Sequence, residues 1–271
     1  MKGTMKEYFQ AVSRALLWPF RRAGSEVSAE EKELAGVYQL ALFLALTGLW
    51  LGQAAARVLS VLSAGVQWPA IRFGIGLLPF QVGAFAGAMA GLCLSRRLHG
   101  WRRLLALHQD TDDDSDSNVT WAVVKSVRIL FLLYPVLLVV NALSAWGCRQ
   151  LGIPMPPQSL QVFAEQSPGM GFWLLAAVSV VILAPVTEEI LFRLVVYRAL
   201  RGAWPRAAAV LASVVFAGAH FTPQYVPGLF LVGMVLQTAF CEGGLRHAIV
   251  LHCLYNLASL LLFLFVHAMG S

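Results

Sequence analysis

The sequence predicts an all-α fold, a polytopic bundle of transmembrane helices. Of the 271 residues, 58% are hydrophobic and only 13% are charged, about half the charged fraction of an average soluble domain. Apolar runs approaching the roughly 20 residues that a helix needs to cross a bilayer recur along the chain. These runs lack the strict alternation that is typical of an outer-membrane barrel.

The first 33 residues predict an amphipathic helix at the membrane surface. Five basic residues between Met1 and Arg22 alternate with large apolar ones such as Phe9, Leu16 and Trp18. No continuous apolar stretch of a cleavable signal peptide is found there. The pattern favours a helix lying on the cytoplasmic leaflet.

About seven apolar spans follow this segment. They cover residues 34–59, 73–94, 121–146, 172–200, 207–221, 229–240 and 245–266. The second span is rich in Gly and Ala, which favours close helix contact. Most Lys and Arg flank the spans, so the net charge of +6 indicates topology with a cytoplasmic N-terminus, and no nucleic acid partner is expected.

The spans divide into an accessory part and a part that carries the chemistry. Residues 34–150 form the accessory helices, with an acidic cytoplasmic loop at 108–118. Charge runs of this kind are usually solvated linkers, and this one lacks the Gly of an EF-hand loop. The four cysteines show no C-x-x-C spacing, so neither a disulfide framework nor a zinc knuckle is expected. Residues 170–267 hold the polar motifs.

An acidic motif lies inside the fourth apolar span. Glu188, Glu189 and Arg193 interrupt a segment that is otherwise apolar, and ionisable groups at such depth mark a working site by default. Glu189 and Arg193 are four residues apart and can pair. Glu188 is rotated by about 100° from Glu189. It is therefore left to act as a general base.

Two further polar pairs lie downstream, Phe216 with His220 and His252 with Asn256. Glu188 and His220 lie about 22–26 Å along their helices from the predicted turn near Pro205, so they can meet inside the bundle. Each pair alone is compatible with a structural ion pair, a core histidine or interhelical hydrogen bonding. Their concentration in one third of the chain predicts an enzyme acting within the bilayer.

These motifs resemble those of the CPBP intramembrane proteases, which include CAAX prenyl endopeptidases and bacteriocin-processing or immunity proteins. The family pattern is Glu-Glu-x-x-x-Arg, Phe-x-x-x-His and His-x-x-x-Asn/Asp, and all three occur here in order. Pro185 and the Phe192-Arg193 pair also fit the usual context. The chain departs from the family at Leu194, where Gly is common.

The resemblance implies a role for each motif residue. Glu188 would activate a water for attack on a peptide carbonyl, and His220 would assist proton transfer. His252 and Asn256 would stabilise the oxyanion. Glu189, Arg193 and Phe216 would support the site.

A metal is compatible with the motifs but is not favoured. The sequence has no His-Glu-x-x-His, so it is not a zincin. If a divalent ion such as zinc binds, Glu188, His220 and His252 would be its ligands with a position left open. We favour a mechanism that needs no cofactor.

The expected partners are the lipid bilayer and a membrane-associated protein or peptide substrate. The expected location is an integral, multi-pass one, in the inner membrane if the source is bacterial. The main alternative is a non-proteolytic partner, immunity or regulatory protein with the same fold. A transporter with a buried proton relay is less favoured, because no inverted repeat is visible.

Overall fold

A computed structural model of the chain describes residues 29–63, 65, 69–105, 119–157, 162 and 169–270, and within these ranges no β-strand occurs. The all-α prediction is confirmed. The main helices are α1 (Ala29–Leu62), α2 (Pro69–Leu105), α3 (Val119–Gln150), α4 (Met170–Ala203), α5 (Ala208–Gly218) and α6 (Val226–Gly270). A single 3₁₀ turn, Pro223–Tyr225, leads into α6. The predicted surface helix up to residue 28 and the acidic loop at 108–118 lie outside the described residues.

Six of the seven predicted apolar spans are helical throughout, and the fifth, predicted over 207–221, is helical only from Ala208 to Gly218. Five helices are long and apolar enough to cross a membrane, and α5, with 11 residues, is shorter. The sixth and seventh predicted spans are the two parts of α6, which meet at a kink with non-helical backbone at Gly243 and Gly244. Gly244 has a φ of 72°, a conformation that residues with a Cβ rarely adopt. The glycine pair therefore allows the chain to turn between the two parts of α6.

Helices α1 and α2 form a pair in which the backbones touch, as the Gly-rich second span predicts. A Cβ atom added at Gly83 would overlap the carbonyl of Gly48, and one added at Gly87 would overlap the carbonyl of Leu44. Without a hydrophobic driving force between helices in lipid, close van der Waals packing of this kind supplies the association energy.

Cross-helix contacts gather four helix segments at one end of the bundle. Arg198, near the end of α4, donates a hydrogen bond to the hydroxyl of Tyr38 in α1. Lys125 of α3 forms a 2.8 Å ion pair with Glu242 at the kink of α6. Arg198 also lies over the ring of Phe240, just before the kink, so this end joins the start of α1, the start of α3, the end of α4 and the kink. It lies about 15 Å along α4 from the acidic motif, by the helical rise.

Candidate active site

Helix α4 is not a regular α-helix around the acidic motif. The α-helical turn Ala184–Glu189 is flanked by two π-helical segments, Ser179–Leu183 and Ile190–Val196. Pro185 explains the first segment, because proline has no N–H to donate and its ring clashes with the carbonyl four residues earlier. Wide turns of this kind relieve the clash, and they are frequent at functional sites.

Glu189 is the centre of a buried charge network. Its side chain has no solvent exposure, and Nε of Arg193 donates to its Oε2 at 2.9 Å. Nδ1 of His252 lies 2.9 Å from its Oε1. The predicted pairing of Glu189 with Arg193 is thus present. The contact with His252 is an addition, because the sequence analysis gave His252 an oxyanion role and no contact with Glu189.

Glu188 occupies a different environment from its neighbour, as the helical rotation predicts. Its side chain is 25% exposed, whereas that of Glu189 is fully buried. Its Oε2 atom is nevertheless buried, has no hydrogen-bond partner among the described residues, and lies 3.8 Å from Nε2 of His252. This carboxylate oxygen is therefore uncommitted and faces an imidazole nitrogen.

The tautomers of both histidines follow from their partners. Nδ1 of His220 lies 2.8 Å from the backbone carbonyl of Phe216. A carbonyl and an ionised carboxylate only accept hydrogen bonds, so Nδ1 carries the proton both in His220 and in His252. In its neutral form each ring then has Nε2 as its free basic nitrogen.

Phe216 lies between the two histidines and the arginine. It is 1% exposed, and its ring centroid is 4.9 Å from that of His220 and 5.9 Å from that of His252. The guanidinium carbon of Arg193 lies 5.2 Å from the same ring, within the range of a cation–π contact. The phenylalanine of the second motif thus packs all three motifs together.

Asn256, one turn after His252, is bound to the acidic helix. Its Nδ2 donates to the backbone carbonyl of Val180, in the first π segment of α4, at 2.8 Å. The sequence analysis gave Asn256 an oxyanion role and kept interhelical hydrogen bonding as the alternative, and this bond is of the second kind. The feature of the sequence that could have indicated this hydrogen bond is Pro185, which lies five residues after Val180.

The structure brings the motif residues together with one difference from the expected pairing. No hydrogen bond or ion pair joins Glu188 to His220 among the described residues; His252 is the imidazole that approaches Glu188. Helix α5 ends at Gly218, so His220 lies beyond the last helical turn and binds the carbonyl of Phe216 instead. Nor do any three His, Cys, Asp or Glu side chains within the described residues lie close enough to hold a metal ion. The trio Glu188, His220 and His252 therefore does not fit a metal centre in this geometry.

Comparison with known proteins agrees with the motifs. Residues 170–258 match the family described as Rce1-like, type II CAAX prenyl endopeptidase Rce1-like. The match runs from the start of α4 into the second part of α6, contains all three motifs and confirms the resemblance to the CPBP proteases. With the apolar helices, it indicates a CAAX-type endopeptidase of the membrane that acts on a membrane-associated peptide. No curated protein and no solved structure matches the chain.

Proposed function

We propose, since the chain carries a Rce1-like type II CAAX prenyl endopeptidase domain at residues 170–258, that it hydrolyses peptide bonds of membrane-associated substrates with water activated by Glu188. One observation carries the proposal. Of the two adjacent carboxylates, only that of Glu188 combines partial exposure with a buried oxygen that accepts no hydrogen bond. Glu189 is fully buried, and each of its oxygens is already bound, one by Arg193 and the other by His252, so it is not placed to meet a water beside the substrate.

The reaction follows from this division between the two acids. Glu188 accepts a proton from the water as its oxygen attacks the scissile carbonyl carbon, and the C=O π electrons move to the carbonyl oxygen. The resulting tetrahedral oxyanion collapses, the C–N bond breaks, and the amine leaves with a proton from Glu188 or His220. A positioned acid–base group of this kind contributes about 10²–10⁴-fold to the rate.

The oxyanion is stabilised by the opposite side of the site. Because Nδ1–H of His252 points to Glu189, His252 donates to the oxyanion from Nε2 only when the ring is an imidazolium. One N–H of the Asn256 amide is bound to Val180, and the second completes the pair of donors. Donors fixed in a water-poor site stabilise developing charge more than donors in water.

The proposed location is a cell membrane, the inner membrane if the source is bacterial, with a cytoplasmic N-terminus and substrates at the lipid surface. The test uses the full chain in lipid nanodiscs and an internally quenched peptide that ends in a farnesylated Cys-a-a-X motif. Membrane peptidomes from cells that produce the wild type or Glu188→Gln serve as a second, unbiased substrate source.

We expect cleavage by the wild type and a loss of at least about 10²-fold with Glu188→Gln. Glu242→Gln is the matched control, because it removes a carboxylate that pairs with Lys125 at the far end of the bundle. Cleavage by Glu188→Gln at the wild-type rate would overturn the proposal. So would wild-type and Glu188→Gln peptidomes that share every new peptide end.

A further inference from the structure

The carbonyl of Val180 lacks a partner within its own helix. In an α-helix it would accept from the N–H of Ala184, and in a π-helix from that of residue 185. The N–H of Ala184 is bound instead to the carbonyl of Ser179, and residue 185 is a proline, which has none. The π segment and the proline together leave this one carbonyl without either helical donor.

Such a carbonyl is costly at membrane depth. No bulk water reaches the bilayer core, so the helices around a proline must supply a donor for the freed group. The amide of Asn256 does so at 2.8 Å. Asn256 lies on the same face of α6 as His252, one turn along. The bond therefore fixes the helix that carries His252 against the helix that carries both acids.

We infer that Asn256 is a positioning residue, which binds the carbonyl freed by Pro185 and so holds His252 at its distance from Glu188 and Glu189. The interaction that holds the two helices is the hydrogen bond from the side-chain amide of Asn256 to the backbone carbonyl of Val180. An oxyanion donor alone would need no such partner on α4. The inference rests on the proposed function where it is tested by activity. The test by the distance between α4 and α6 does not depend on that function.

The proposal predicts coupling between Asn256 and Pro185. Asn256→Ala removes the donor and lets α6 shift, and a displacement of about 1 Å costs about 10²-fold in rate. The loss falls on kcat more than on KM. Pro185→Ala gives residue 185 an N–H, so the carbonyl of Val180 is satisfied within α4. In that background Asn256→Ala lowers kcat by less than about tenfold, since only the second N–H of the amide is lost.

The experiment measures kcat of the four chains, wild type, the two single variants and the double variant, on the quenched farnesylated peptide in nanodiscs. A second readout is the distance between spin labels at Leu174 and Leu261, exposed positions on α4 and α6, attached through p-acetylphenylalanine so that the native cysteines stay. We expect a single narrow distance in the wild type and a broadened or shifted one with Asn256→Ala. Asn141→Ala is the control, because Asn141 is also a half-buried asparagine of the bundle and its side-chain oxygen has no hydrogen-bond partner among the described residues.

The outcomes separate the two hypotheses. An unchanged label distance in Asn256→Ala would overturn the positioning role of Asn256. An equal loss of kcat on Asn256→Ala in the wild-type and Pro185→Ala backgrounds would do the same. A wild type that cleaves nothing but whose label distance broadens with Asn256→Ala would keep the tie and reject the protease. If Pro185→Ala itself stops turnover, the label distances of the four chains still decide, because the tie predicts no further broadening in the double variant.

Discussion

Nδ1 of His252 lies 2.9 Å from Oε1 of Glu189, and both side chains are almost completely buried. The same carboxylate accepts from Nε of Arg193 through its other oxygen. Glu189 therefore orients the imidazole and neutralises the guanidinium at once, and it joins α4 to α6. The motif thus contains one acid for orientation and one for chemistry, which adjacent positions on a helix can separate.

The first prediction compares the two acids. Glu188→Gln removes the base but no hydrogen bond at Oε2, so kcat falls by about 10²–10⁴-fold while the free energy of unfolding changes by less than about 1 kcal/mol. Glu189→Gln leaves Arg193 as an uncompensated buried charge and lowers the free energy of unfolding by about 3–5 kcal/mol. Turnover in nanodiscs and unfolding in mixed detergent micelles measure the two effects. Equal stability losses in the two variants would contradict this division of roles.

The sequence predicted correctly those contacts and separations that depend only on the period of the α-helix. Residues four apart on a helix share a face, so the pair of Glu189 with Arg193 followed from spacing alone, as did the separation of Glu188 from its neighbour. Apolar length likewise predicted the main helices, although it extended the fifth span to residue 221, beyond the helix end at Gly218. The gap between the spans predicted at 229–240 and 245–266 indicated a break, and the structure shows a kink at Gly243 and Gly244 within one helix.

Contacts between different helices could not be predicted from the sequence in the same way. Depth arguments brought His220 towards Glu188, but depth does not specify rotation, and the rotation of α6 places His252 there instead. The tie from Asn256 to Val180 depends on a π turn, and a hydrophobic pattern with a period of 3.6 does not reveal where such a turn lies. Pro185 was visible, but in a regular α-helix the carbonyl that it frees is that of Val181, and only the π turn shifts the free carbonyl to Val180.

The second prediction concerns Arg193. Arg193→Met should cost about 3–5 kcal/mol of unfolding free energy, because Glu189 would remain as a buried anion. In the Glu189→Gln background the same substitution should cost about 1–3 kcal/mol less, the coupling typical of residues in one network. Lys125→Met is the control for a pair that is about one-third exposed, and it should cost less than about 1 kcal/mol. Strict additivity of the two site variants would show that the buried pair does not act as a unit.

The third prediction concerns the contact of α1 with α2. Gly87→Ala places a methyl group on the backbone of Leu44, so the helices must separate and the unfolding free energy should fall by about 1–3 kcal/mol. Gly76→Ala on the same helix is the control, because a Cβ there meets nothing within 4 Å. Melting temperatures in one detergent compare the two. A variant at position 87 as stable as the one at 76 would show that the contact is looser than described.

The fourth prediction tests Phe216 as the packing element of the site. Phe216→Leu keeps most of the volume but removes the ring that touches both histidines, and we expect kcat to fall by about tenfold. Phe73→Leu is a matched control, because Phe73 is 2% exposed and packs edge-on against Phe172 outside the site. The two variants should lose similar stability, and only the first should lose turnover. Equal turnover in both would limit Phe216 to general packing.

The last prediction concerns the metal. A catalytic zinc needs three protein ligands at about 2 Å with a fourth position open, and no three candidate side chains within the described residues converge in this way. We therefore expect turnover of the quenched peptide to survive dialysis against a chelator, and the purified protein to contain far less than one zinc per chain. Stoichiometric zinc, with activity lost on chelation and restored by zinc alone, would require Glu188, His220 and His252 to move together into a ligand set, and would replace the base mechanism.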